Sequence, residues 1–571
     1  MPPNPTKHWI IEPVLPPEAD QALVRFSPIL RQLLYNRGYK TDEAARQYLE
    51  AQPPAGSDPL NMLGVPEAVE RIWQAIQKDE QIAIYGDYDA DGVTATALLT
   101  DLLKKLGAQV QGYIPNRFDE GYGLNTEALD ALQAGGTSLV VTVDCGIRSM
   151  DEAEHARRIG LDLIITDHHH PLNELPQALA LVNPKQLGET YPFENLAGVG
   201  LAYKLGCALL EKARSAGYAP AEQIEAEEYL DLVALGTVSD QAPLVSENRS
   251  LVRQGLEYIR RPRRQGILSL IGAAQLNPLQ ITADSIGFGL GPRLNAAGRL
   301  DSALAALNLL LTQDLAEAAS LAQLLDNQNR ERQQITREIQ AHAEQLTLAE
   351  EPDAMLLFSA HESYNPGVIG LAASRLMEQY YRPSIVAYHG PELTRGSCRS
   401  IPEFHITKAL DECADLLVRH GGHSAAAGFT VRNEHLSELV ERLRFIAQRE
   451  LGSMDLRPKL HADAQVNLAE LTPELLKELG RLQPTGQSNP AARFVSRGVR
   501  VLRSRTVGKD SSHLKLTVTD GIITYDAIAF RQGHLYGNLP QYIDLIYNFE
   551  RNEYNGIASL QLNVQDIHPR S

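Results

Sequence analysis

The sequence predicts an α/β protein: two α/β domains, the first built on a parallel sheet, joined by a long helix and followed by a small C-terminal β-barrel of the oligonucleotide-binding kind. Three observations lead there. Short Val- and Ile-rich runs alternate with helix-length stretches between residues 81 and 170, the pattern of βαβ units whose sheet is covered on both faces. Residues 313–351 contain neither Pro nor Gly. From about Leu456 the apolar residues change to a period of two, which is that of half-buried strands.

In chain order, QIAIY (81–85), AQVQGYI (108–114), SLVVTVD (138–144) and LDLIITD (161–167) read as strands, with helices such as TATALLTDLLKKLG between them. EYLDLVALGTVSD (228–240) reads as a helix ending on Asp240. In the Pro- and Gly-free stretch, Leu321, Leu324, Leu325, Ile335, Ile339 and Leu346 recur at helical intervals, so a continuous connector of roughly 55 Å follows at about 1.5 Å per residue. A second α/β segment places the helix GVIGLAASRLMEQ between the strands AMLLFSA and PSIVAYH; it closes with GGHSAAAGF (421–429) and an amphipathic helix near HLSELVERLRFIAQREL. In the last segment Leu514, Leu516 and Val518 alternate, as do Ile543, Leu545, Tyr547 and Phe549, and Asn555–Gly556 reads as a hairpin turn.

A chain of 571 residues exceeds a single core, and 43% hydrophobic with 22% charged residues is the composition of an ordinary globular protein. No run approaches the roughly 20 apolar residues that span a bilayer, and MPPNPTKHWIIEP carries no secretory apolar region; a cytoplasmic protein is expected. Cys145, Cys207, Cys398 and Cys413 lack CxxC spacing, which argues against a disulfide framework and against structural zinc. A net charge of -18 argues against broad nonspecific affinity for nucleic acid, leaving the decision to local patches.

The chemistry concentrates at strand ends. GDYDADG places Asp87, Asp89 and Asp91 directly after the first run, Asp144 ends the third, and Asp167, His168 and His169 end the fourth. In parallel sheets, ligands bind beyond these carboxyl ends. Buried carboxylates so close together must be protonated or compensated. With Asp240 added, the donor set suits two divalent cations, Mn²⁺ or Mg²⁺, which activate water and neutralise a phosphoryl group.

DYDAD, VDCG, TDHH and the later VSD resemble the successive motifs of the DHH phosphoesterase superfamily. The wider chain resembles its RecJ branch, the single-strand-specific 5′ to 3′ exonucleases, through IPNRFDEGYGLN (114–125), LAGVGLAYKL (196–205), GPRLNAAGRLDSA (291–303), LLDNQNRERQQ (324–334) and GGHSAAAGF, the signature of the associated DHHA1 domain. The resemblance implies an N-terminal extension at 1–45, a DHH domain at 46–312, the connector at 313–351, a DHHA1 domain at 352–455 and an oligonucleotide-binding domain at 456–571. It implies that Asp91, Asp144, His168 and Asp240 hold one ion, and that Asp89 and Asp144, with Asp87 as a further candidate, hold the other. Tyr85 stands where many relatives carry a histidine, which weakens that second set. His169 then faces the scissile phosphate or the leaving oxygen as proton donor or charge stabiliser, so that Asp144 and His169 are the catalytic candidates.

An exonuclease must also hold an end. The resemblance implies a 5′-phosphate pocket from Arg293, Ser397, Arg399 and His423, with Asn295 and the close backbone of Gly421 and Gly422 beside it. Arg293 taken alone fits a structural salt bridge equally well. Arg117 and Tyr122 pair a cation with an aromatic face, suited to single strands. Arg260, Arg261, Arg263 and Arg264 form the densest basic run and are open between a backbone track and a solvated surface. Two local departures from relatives are Tyr364–Asn365, where Trp-His is common, and Ser488, where Gly is common.

Single-stranded DNA with a 5′ end is the expected substrate, a helicase and a single-strand-binding protein are the expected partners, and a monomer is the expected state. Competing readings are a phosphodiesterase of short oligonucleotides or cyclic dinucleotides, which does not need the C-terminal β domain, and a catalytically dead scaffold, which predicts eroded ligands. No GxGxxG follows the first strand, so a dinucleotide-binding reading has no support.

Overall fold

The computed structural model describes residues 6–116, 123–300, 302–554 and 557–570. The chain divides into two compact units: Glu12–Gln328 with Asp463–Ser571, and Asn329–Ala462 with the N-terminal strand His8–Ile11.

The first unit contains a five-stranded, all-parallel sheet: β1 (Gln81–Gly86), β2 (Gln109–Tyr113), β3 (Thr137–Val143), β4 (Asp162–Thr166) and β5 (Ala180–Val182), in spatial order β2-β1-β3-β4-β5. Ile82, Ile84, Val140, Val141, Ile164 and Ile165 are fully buried, because helices cover both faces of the central strands. The strand order reverses between β1 and β3. That switch point opens a crevice at their carboxyl ends, and Asp87 and Asp144 are the residues that follow those two strands. Three helices deliver further site residues: α1 (Ala90–Lys105), α2 (Gly198–Ser215) and α3 (Leu230–Ser239). β5, three residues long, is an edge strand beyond the four runs read from sequence.

The same unit carries a closed barrel of five strands, Phe494–Val507, His513–Thr519, Thr524–Ala529, Ile557–Pro569 and Tyr542–Tyr554, the last pairing back onto the first. The period-two residues fill it: Leu514, Leu516, Val518, Ile543, Leu545, Tyr547 and Phe549 are all buried. Asn555–Gly556, read as a turn, lies outside the described residues. The N-terminal helices Pro28–Asn36 and Asp42–Glu50 add Leu30, Leu33, Leu34, Tyr48 and Leu49 to the core that holds Phe494 and Tyr547.

The connector is the helix Leu315–Glu350. In the second unit, Leu357–His361, Ser384–His389, Leu393–Arg399, Leu417–Gly422 and Ala426–Arg432 form a mixed sheet in which only the first two pair in parallel. The helix Ile369–Tyr380 packs on it, and the strand His8–Ile11 pairs in parallel with Lys459–Ala462.

Candidate metal centre and phosphate cradle

Three of the acidic residues are placed by distinct local devices. Asp89 caps α1: its Oδ1 accepts from the backbone N–H of Asp91 at 2.9 Å and of Gly92 at 3.1 Å. Asp91, one residue into that helix, turns both oxygens to the start of α2, where Gly198 N–H donates to Oδ2 at 2.7 Å and Val199 N–H to Oδ1 at 2.8 Å. A helix N-terminus thus compensates one buried carboxylate of the cluster. Asp144 leaves β3 with φ of +62°, a left-handed conformation that costs a non-glycine residue energy and is concentrated at functional sites. A Cβ on Gly198 would lie 2.6 Å from that of Asp144, so only glycine lets α2 start this close.

The groups converge. Ligand atoms of Asp87, Asp89 and Asp144 lie within 4.8 Å of one another, as do those of Asp91, His168 and Asp240. His168 Nε2 is 3.1 Å from Asp144 Oδ1, 3.8 Å from Asp240 Oδ2 and 3.9 Å from Asp91 Oδ2. Both Asp144 Oδ1 and His168 Nε2 are buried and neither makes a hydrogen bond. Such an arrangement is costly by itself and is resolved by a cation between the lone pairs.

Electrostatics agree with that fit. Burial, then the charge of neighbouring Asp91, holds the Asp144 carboxyl well above its ordinary range. Burial and Asp91 raise Asp240 to about 9, while burial and Asp89 raise Asp91 to about 7 against the pull of the α2 amides. His168 is pushed down to about 3 by burial and by the charge of His169. Its ring is therefore neutral, the form that ligates a metal.

His169 is held differently. Its Nδ1 lies 2.7 Å from Asp167 Oδ1, and burial of the ring is outweighed by that bond and by Asp89 and Asp91, so its pKa is raised. Asp167, fixed in turn by the N–H of Ile147 and of His169, orients the ring. Two residues escaped the sequence reading. Lys185 donates from Nζ to His168 O at 2.6 Å and Asn183 from Nδ2 to His169 O at 2.9 Å, so the turn after β5 clamps the backbone of both histidines. The Asn-Pro turn signal in LVNPK, following a short apolar run, was the available clue.

Tyr85 donates its hydroxyl to Gly123 O at 3.0 Å and accepts from Asn125 Nδ2 at 3.1 Å. Arg117 and Tyr122 lie outside the described residues. Arg293 pairs with the buried Asp326 through Nε at 2.9 Å and Nη2 at 2.8 Å and donates Nη1 to Gly289 O, which occupies much of its fork. Asn295 Oδ1 accepts from Ala90 N–H and so braces the start of α1. Of the basic run, Arg260 pairs with Glu257, Arg263 with Glu228, and Arg264 with Asp231 and Asp101.

In the second unit, Ser397 and Arg399 share one face of a strand. Arg399 Nη1 donates to Ser397 Oγ at 3.2 Å and Cys398 O at 2.8 Å. Arg399 is opposite Ala426 on the neighbouring strand, whose carbonyl accepts from His423 N–H, and Gly422 adopts φ of +149° at the end of the next strand. Ser397 and Arg399 thus lie on one side of the strand Ala426–Arg432, and Gly422, with His423 just past its strand end, on the other.

A parallel sheet and its flanking helices that bring five carboxylates and two histidines to one switch point define a metal-dependent phosphoesterase. The model described as "DHH family, N-terminal domain" matches residues 81–237, that of the "DHHA1 domain" residues 353–449 and that of the "RecJ OB domain" residues 462–566. The chain is 40% identical to the single-stranded-DNA-specific exonuclease RecJ of Bacillus subtilis, covering 95% of this chain and 68% of that one, and 36% identical to that of Escherichia coli, covering 95% and 96%. The crystal structure of RecJ in complex with Mn²⁺ from Thermus thermophilus superposes with a TM-score of 0.83 at 30% identity, over 99% of this chain and 80% of that one. A complex of the same protein with Mg²⁺ has also been solved, and superposes with a TM-score of 0.77 at 28% identity. This chain belongs to the RecJ family.

Proposed function

We infer that this chain is a metal-dependent, single-strand-specific DNA exonuclease that works from 5′ ends and releases 5′-mononucleotides. The observation that carries the reading is the facing pair Asp144 Oδ1 and His168 Nε2, buried without hydrogen bonds inside a ring of carboxylates. Asp91, Asp144, His168 and Asp240 would hold one cation and Asp87, Asp89 and Asp144 the other, with Asp144 common to both. Two divalent cations bound there supply water of lowered pKa and neutralise charge on the phosphoryl group.

The protein side of the reaction follows from the contacts. Neutral His168 offers a lone pair at Nε2. His169, with Nδ1 committed to Asp167, carries the transferable proton at Nε2 and passes it to the leaving 3′-oxygen of the terminal nucleotide. Ser397, Arg399, Gly422 and His423 would hold the 5′-phosphate. Cleavage at the 3′-oxygen leaves a new 5′-phosphate on the shortened strand, so each turnover regenerates the recognised end.

We further place the enzyme in the cytoplasm, in DNA repair and recombination, as a monomer. An enzyme confined to single strands depends on a helicase to expose them and meets the single-strand-binding protein that coats them. Among the described residues no helix is long and apolar enough to cross a membrane.

The test is digestion of a 5′-phosphorylated single strand labelled at its 3′ end, beside the matching blunt duplex, in Mn²⁺, Mg²⁺ or chelator. Metal-dependent shortening of the single strand alone, from its 5′ end, is expected. Binding of the strand without cleavage in either metal would favour the scaffold, and cleavage of very short oligonucleotides only would favour the second phosphodiesterase reading.

A further inference from the structure

On the first unit, a cavity of about 300 Å³ is bounded by the end of α3, next to Asp240 in the chain, by the helical turn Ile286–Leu290 and by the loop Thr485–Gln487. Ser239 and Gln241, the two neighbours of Asp240 in sequence, both line it. Since consecutive Cα atoms are about 3.8 Å apart, the backbone of this wall adjoins that of Asp240, whose own side chain is not part of the lining. Gln241 is held there at φ of +60°, a second strained non-glycine position beside the centre.

The lining has a definite chemistry. Alongside apolar side chains it offers the amides of Gln241 and Gln487, the hydroxyls of Ser239 and Thr485 and the carboxyl of Asp284, and no Lys, Arg or His. A phosphate is thereby disfavoured. At the rim stands Phe288, 85% exposed, in a turn with π-helical bonding. Single π-turns recur at functional sites, and an aromatic ring kept in water beside hydrogen-bonding amides matches the stacking platforms that hold bases of single strands.

Resting on the exonuclease reading above, we propose that this cavity is a nucleobase subsite: it receives one base of the strand next to the scissile phosphate, stacked on Phe288, with its edge toward Gln241, Asp284 and Gln487. The sugar-phosphate backbone stays outside, toward the residues that would hold the cations. The subsite reads the presence of a base, which makes an intact single strand a better substrate than its backbone alone.

The experiment is a cycle between protein and strand. A 5′-phosphorylated strand carrying one abasic residue at successive positions from the 5′ end is digested by wild type and by Phe288→Ala, and kcat/KM is read for each pair. In the wild type one position near the 5′ end should cost about tenfold, the scale of a lost base–aromatic stack. Phe288→Ala should lose the same factor on the intact strand and nothing further on that abasic strand, and Phe288→Trp should restore the difference. Because Phe288 is on the surface, the substitution leaves thermal unfolding unchanged. Equal losses on intact and abasic strands, as for a cavity that takes a peptide, would overturn the proposal, as would no loss on either. Should the wild type cleave no strand, the exonuclease reading fails; the same cycle, read as strand affinity by fluorescence anisotropy, still decides the subsite by the same two patterns.

Discussion

The centre around Asp144 and the strand pair carrying Ser397 and Arg399 handle charge in opposite ways. At the centre, like charges are crowded beyond what the surrounding amides satisfy, and the backbone is bent into a left-handed turn to do it. On the strand pair the backbone is regular antiparallel sheet, and among the described residues Arg399 has no carboxylate partner, while burial lowers its pKa. An unpaired, partly desolvated guanidinium is ready for an anion; a surplus of buried carboxylates is ready for a cation. Each region leaves unmet the charge that its ligand brings.

The strongest way to break this contrast is Asp144→Asn, which keeps the shape and tolerates the left-handed φ. Activity should fall by more than about 10³-fold, beyond the loss of a single transition-state hydrogen bond. In chelator, however, the variant should melt at a higher temperature than wild type at pH 9, because one of the repelling carboxylates is gone. Lower stability together with lower activity would mean that Asp144 is placed for the fold.

Arg399→Ala probes the other side. A charged hydrogen bond is worth about 1.5–3 kcal/mol, so kcat/KM for a 5′-phosphorylated strand should drop roughly 10- to 100-fold, while a 5′-hydroxyl strand is cleaved at nearly the wild-type rate. Equal losses on both strands would remove the 5′-phosphate from the cradle.

The crowding also has a pH signature. Burial and Asp89 lift Asp91 to about 7, and burial and Asp91 lift Asp240 to about 9, both above their unfolded values. The stability these groups confer on the metal-free protein is full below about pH 4 and is lost as pH rises through 7 and 9. Scanning calorimetry in chelator should therefore show the melting temperature falling from pH 5 to pH 9, and Mn²⁺ should flatten the decline. Metal affinity should rise over the same range, with protons released on binding, measured by titration calorimetry in two buffers. A flat profile in chelator would mean that the amides already compensate the centre.

What the sequence disclosed follows the same division. Long apolar runs with alternating helices announce a parallel sheet, so the strand-end residues Asp87, Asp144 and His168 could be placed from sequence alone. β5 was not legible, being three residues at an edge, and neither were the N-terminal helices, whose partners in the barrel core lie more than 400 residues away. Lys185 and Asn183 act through backbone carbonyls of the histidines, which no spacing of side chains encodes. Arg293 shows the limit for charged residues: that it pairs with an aspartate depends on the tertiary position of Asp326, which no spacing in the sequence encodes.

The smallest and most selective test is Gly370→Ala. Gly370 lies in the first turn of the helix Ile369–Tyr380, and a Cβ there would stand 2.9 Å from Ser397 Oγ and 3.0 Å from Arg399 Nη2. Both atoms are the far ends of side chains, so the fold can yield by swinging them aside. Alanine is also the better helix former, by up to about 1 kcal/mol, and thermal stability should stay level or rise. The groups displaced are the very ones assigned to the phosphate, so the preference for 5′-phosphorylated over 5′-hydroxyl strands should shrink about tenfold, through KM more than kcat. A variant of unchanged stability with its preference intact would show that Ser397 and Arg399 can be moved without touching the strand end. The cradle would then have to be sought elsewhere, with the metal centre unaffected.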